Sequence, residues 1–65
     1  MENLFRRYKG ELVDVKTVSG GIYSGRITEI TNDYIGLNET STAPGQQVFL
    51  FFSAIESMAV TTAGD

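Results

Sequence analysis

The run Val48-Phe49-Leu50-Phe51-Phe52 is apolar at every position, and it limits the folds open to this chain more than any other feature. Read as a strand with a side-chain period of two, it puts Val48, Leu50 and Phe52 on one face and Phe49 and Phe51 on the other. A strand apolar on both faces is normally buried on both sides. The chain has 65 residues, enough for one domain with one small interior. The second apolar face therefore needs a partner or a docked helix. Small scaffolds often gain stability from disulfides, metals or self-association. With no Cys and no His, neither a disulfide nor the usual zinc or imidazole site is available. Oligomerisation or an unusually compact fold is what remains.

The rest of the chain reads as one helix followed by strands, a single domain over residues 1–65. Residues 2–9 predict a short helix with Leu4 and Tyr8 at i, i+4 and Phe5 beside them. Glu2 suits its start, Arg6, Arg7 and Lys9 suit its end, and Gly10 stops it. Two turns are not stable alone in water, so this helix must dock on something. Residues 11–18 alternate, with Val13, Val15 and Thr17 on one face and Asp14 and Lys16 on the other. Ser19-Gly20-Gly21 turns the chain into a second strand over 22–31, long and interrupted by Gly25. A glycine inside a strand marks a bend, a bulge or a close backbone approach. Ile27 and Ile30 break strict alternation, which predicts a bulge or a sharp twist. Asn32-Asp33 predicts a tight turn, residues 34–39 a third strand with Ile35 and Leu37 on one face, and residues 40–45 a polar loop. Residues 47–52 and 55–60 complete the set, joined by a short turn at Ser53-Ala54 and followed by a frayed tail. This pattern predicts an all-β domain: a short N-terminal helix and a five-stranded, strongly bent antiparallel barrel with free edges on its first and last strands.

Charge narrows the function. Five Lys and Arg stand against eight Asp and Glu, a net charge of −3, which argues against a broad phosphate-binding surface. The exception is local, since Arg6, Arg7 and Lys9 hold three of the five cations. No His is present to activate a Ser or Thr nucleophile. Asp14, Glu29, Asp33, Glu39 and Glu56 follow no metal-ligand spacing. No enzymatic activity, metal, cofactor or small-molecule substrate is expected. The N-terminus does not read as a signal peptide, and no run is long enough to cross a membrane as a helix. The expectation is a soluble cytoplasmic protein without membrane partners.

The order of elements, together with Gly10-x-x-Val13-x-Val15-x-Thr17-x-x-Gly20-x-x-Tyr23-x-Gly25-x-Ile27, resembles the Sm-like family of Sm, LSm and Hfq proteins over residues 4–60. The second motif is degenerate: an apolar strand, then Ser53-Ala54-Ile55 and a short last strand. The resemblance implies a homo-oligomeric ring in which the fourth strand of one subunit pairs with the fifth of the next. It thus points to the same strand as the two-faced apolar run. Val48, Phe49, Leu50, Phe51, Phe52, Ile55 and Met58 are the candidate interface.

The family's RNA site uses an Asp and an Asn after the second strand and an Arg-Gly pair, or a basic His-containing tripeptide in Hfq, after the fourth. Here the first loop is Thr31-Asn32-Asp33-Tyr34, and Phe52-Ser53 stands where Arg-Gly would be. The missing Arg removes a group that stacks on bases and pairs with phosphates. Asn32, Asp33, Tyr34 and Ser53 are the candidate RNA-binding residues at the loops, and Arg6, Arg7 and Lys9 those on the helix. The plainer readings stay open: a tight turn with Tyr34 at its edge, and a solvated helix end. The sequence thus reads as a non-enzymatic, ring-forming Sm-like module with weak or atypical RNA binding. The alternative is an oligomeric protein-interaction or structural scaffold without nucleic-acid binding. A monomeric SH3-like barrel would leave Phe49 or Phe51 exposed, which is unfavourable.

Overall fold

The computed structural model describes residues 2–40 and 45–60, so most of the expected polar loop and the expected tail lie outside the described residues. The elements run α1 (Glu2–Arg6), β1 (Leu12–Thr17), β2 (Ile22–Ile30), β3 (Tyr34–Glu39), β4 (Gln47–Phe51), a 3-10 turn (Phe52–Ala54) and β5 (Ile55–Val60). All strand pairs are antiparallel, in one sheet of order β4-β3-β2-β1-β5. The sheet bends strongly but does not close. Its free edges are β4 and β5. The expectation of an edge on the first strand is corrected, because β1 lies between β2 and β5.

Gly25 explains how nine residues of β2 serve both halves of the sheet. β1 pairs with Ile22 to Arg26, and β3 pairs with Gly25 to Ile30, so the two partners overlap at the glycine. A Cβ added there would lie 2.6 Å from the carbonyl oxygen of Asn38, closer than any side chain tolerates. The pairing of β2 with β3 then slips between Ile27 and Glu29. This bulge lets Ile27 and Ile30 both turn inward, Ile27 into the core and Ile30 against it.

The core follows the alternation of the strands. Val13, Val15, Ile27, Ile35 and Leu37 are fully buried, and Phe5 and Leu50 complete the cluster. Thr17 continues the inward face of β1, where its hydroxyl accepts the Gly21 amide at 3.1 Å and so is satisfied although buried. Helix α1 is shorter than residues 2–9, because the chain leaves it through turns that end at Gly10, whose φ of +88° favours glycine. The Gly10 amide donates to the Ile27 carbonyl at 2.8 Å, and the Ile27 amide returns a bond to Glu11 at 3.1 Å. Phe5 anchors the helix: it is buried and stacks on Phe52 with ring centroids 5.2 Å apart and planes 13° from parallel. Leu4 stays half exposed.

Candidate nucleic-acid interface

Two loops meet at one end of the sheet. In the first, the Thr31 hydroxyl oxygen accepts the amides of Asp33 and Tyr34 at 3.1 and 3.0 Å, and the Thr31 amide donates to the Tyr34 carbonyl at 2.9 Å. These bonds hold Asn32 and Asp33 outward, and both are exposed. The second loop is the 3-10 turn after β4. The Phe52 amide donates to the Asp33 carbonyl at 2.8 Å and ties the two loops together. Asn32, Asp33 and Tyr34 are thereby gathered with exposed Ser53. On its other side the turn is fixed by the Val18 amide, which donates to the Ala54 carbonyl at 2.9 Å.

Tyr34 does not stand alone in this group. It pairs across the strands with Phe51, and its ring lies 5.5 Å from both Phe49 and Phe51, edge-on to the first and tilted to the second. One exposed aromatic cluster therefore combines a residue expected at the RNA site with two expected at an interface. Phe49 and Phe51 remain 51% and 55% exposed, while Leu50 points into the core and Val48 and Phe52 pack against it. Helix α1 covers the inward face of this segment through Phe52 and leaves the outward face bare. On the other free edge, Ile55 and Met58 are half-buried and pack against the core.

Arg6, Arg7 and Lys9 are exposed along the exit from α1. The structure adds a fourth cation that the sequence did not single out. Arg26, on the outward face of β2, donates from Nη1 to the Gly10 carbonyl at 2.5 Å. It brings its charge to the residue that follows Lys9. Nothing in the spacing of Arg26 signalled this, because the contact depends on where β2 runs beneath the helix exit. Lys16, the fifth cation, sits across from Glu56 at 3.9 Å on the β1–β5 pair.

The fold is shared with a known structure. A crystal structure of the pleiotropic translational regulator Hfq matches with a TM-score of 0.78, covering 91% of this chain and 95% of that one at 23% sequence identity. The fold is Sm-like. No family model and no curated protein matches the sequence. Within the Sm-like fold, the motif glycines have distinct physical roles: Gly10 and Gly20 take positive φ, and Gly25 allows the close approach of β3. Among the described residues no group of three or more acidic, His or Cys side chains could hold a metal ion. Among them no helix is long and apolar enough to cross a membrane.

Proposed function

We propose that this chain is a non-enzymatic module that assembles into a homo-oligomeric ring and associates with RNA. The hydrogen bond from Phe52 to Asp33 carries the reading. It sets Asn32, Asp33, Tyr34 and Ser53 at one end of the sheet, where a base can be met by amide, carboxylate, hydroxyl and aromatic groups together. Assembly would repeat this loop pair once per subunit. It would repeat the cations at the helix exit in the same way and concentrate positive potential that a net charge of −3 conceals. The Arg missing after β4 makes the binding weak, with backbone contacts supplied by Arg6, Arg7 and Lys9.

Titration of short U-rich and A-rich RNAs at low and moderate salt tests this. Three phosphate contacts on a single strand give a slope of about −2 in log affinity against log salt. Weak binding with such a slope is the expected result, and its loss on replacing Arg6 and Arg7 by Gln would place the contacts on the helix exit. No binding at low salt overturns the RNA reading and leaves the scaffold, which the acidic balance and the Phe52-Ser53 substitution favour.

A further inference from the structure

The loop pair at the end of the sheet holds one carboxylate and no cation. Of residues 31–34 and 52–54, the two segments that meet there, only Asp33 is charged. Its backbone is fixed on both sides. The Asp33 amide donates to the Thr31 hydroxyl oxygen at 3.1 Å, and its carbonyl accepts the Phe52 amide at 2.8 Å. Both main-chain groups are thus bonded within the protein, while the residue itself stays exposed. The carboxylate stands on a braced loop, so little backbone order remains to be lost when a ligand meets it.

An ionised carboxylate only accepts hydrogen bonds. Beside RNA it also repels the phosphates. It therefore lowers the affinity for any base that cannot donate to it, and the four bases differ in this respect. On its Watson–Crick edge uracil offers one N–H between two carbonyls, so a carboxylate that takes the N–H sets its second oxygen against a carbonyl. Adenine and cytosine each offer an amino group beside an acceptor nitrogen, with the same conflict. Guanine alone places two donors, N1–H and the N2 amino group, side by side. They match the two oxygens of a carboxylate, and such charge-assisted bidentate pairs are the strong ones. The remaining group on that edge, O6, is an acceptor. Exposed Ser53 follows the residue whose amide reaches Asp33, so a hydroxyl donor stands on the neighbouring loop. Tyr34, next in the chain, supplies a ring on which an unpaired base can stack.

We infer that Asp33 makes the loop pair selective for guanine, reading N1–H and the N2 amino group of an unpaired base in single-stranded RNA. The inference rests on the RNA association proposed above and adds the base that the site prefers. Arg6, Arg7 and Lys9 contact phosphates, which position a strand without reading its sequence. Affinity and selectivity therefore reside in different parts of the molecule.

Short alternating RNAs of equal length test this: UG, UA, UC and UI repeats beside a U-only strand, where I is inosine, the analogue of guanosine without the N2 amino group. The UG repeat should bind about tenfold tighter than the UA, UC and U-only strands, the discrimination of one good bidentate pair. The UI repeat should lose most of that gain. Asp33→Asn should weaken binding of the UG repeat and strengthen binding of the U-only strand, because it removes both the paired acceptor and the repulsion of phosphates. Circular dichroism and light scattering should stay those of the wild type, since the loop is tied by the Thr31 hydroxyl and by main-chain bonds. Binding without a preference for guanine, a UI repeat that binds as tightly as UG, or a preference that persists in Asp33→Asn overturns the selectivity and leaves RNA association standing. No binding of any of these RNAs at low salt overturns both.

Discussion

At the scale of single residues, Gly25 shows how much one missing side chain decides. The backbone of β3 occupies the space a methyl group would need, and that group would meet a carbonyl rather than a movable side chain. Gly25→Ala should therefore lower the stability by about 1–3 kcal/mol, the usual cost of overpacking. Urea denaturation followed by circular dichroism measures it. Gly20→Ala, with open space around the Cβ but a φ of +96°, should cost less, about 1–2 kcal/mol of backbone strain. Gly25 was legible from the sequence because a glycine inside an apolar strand has few other uses. Glu39 was not. It is only 6% exposed at the end of β3, and its position in the pattern looks like that of any strand-end carboxylate. It ends the inward face of β3 after Ile35 and Leu37, and its backbone is tied by the Gly45 amide, which donates to its carbonyl at 3.0 Å, and by its own amide, which donates to the Gln46 carbonyl at 2.8 Å. The tether from Arg26 to Gly10 was hidden too, since it joins residues sixteen positions apart.

At the scale of elements, the strands were legible and the helix was less so. Alternation in β1 and the β-branched residues along it leave little choice, and the inward face is the one the pattern indicated. Helical propensity over residues 2–9 carries no comparable information about where a short helix stops. Its stability is supplied by what it touches. That contact is Phe5, buried and stacked on Phe52, so Phe5→Ala should cost about 3–5 kcal/mol. A domain of this size has a total stability of about 3–10 kcal/mol, so the variant should lose a large share of it and, toward the lower end of that range, unfold at room temperature. Thermal melts read by circular dichroism would show it, with Phe5→Leu retaining a cooperative transition. The two loops of the candidate site belong to this scale too. The sequence supplied the residues of each loop. Their meeting depends on the Phe52 amide finding the Asp33 carbonyl, a backbone contact to which residue identity contributes nothing.

For the whole molecule, the sequence argued from scarcity: too short for two apolar faces on one strand, and without Cys or His to supply a staple. The structure gives that argument a location. The bare face is the outward side of β4, where Phe49 and Phe51 lie beside Tyr34. Light scattering should report several subunits for the wild type. Phe49→Asp should shift the population toward smaller species, because the carboxylate would have to be desolvated on assembly. The same substitution should leave the monomer's fold nearly unchanged, since the ring it replaces is half in solvent.

The strand order β4-β3-β2-β1-β5 also bears on how the chain comes into being. β1 is made before β2, β3 and β4, and one of its two partners, β5, is made after them. Until Ile55 to Val60 is available, one side of β1 has no strand beside it. The sheet can grow locally from β1 to β4 by adjacent hairpins, but its final ladder must close across most of the chain, the kind of distant contact that slows folding. During that interval the unpaired side of β1 and the outward side of β4 are open together. A growing chain therefore passes through a state more adhesive than its finished form.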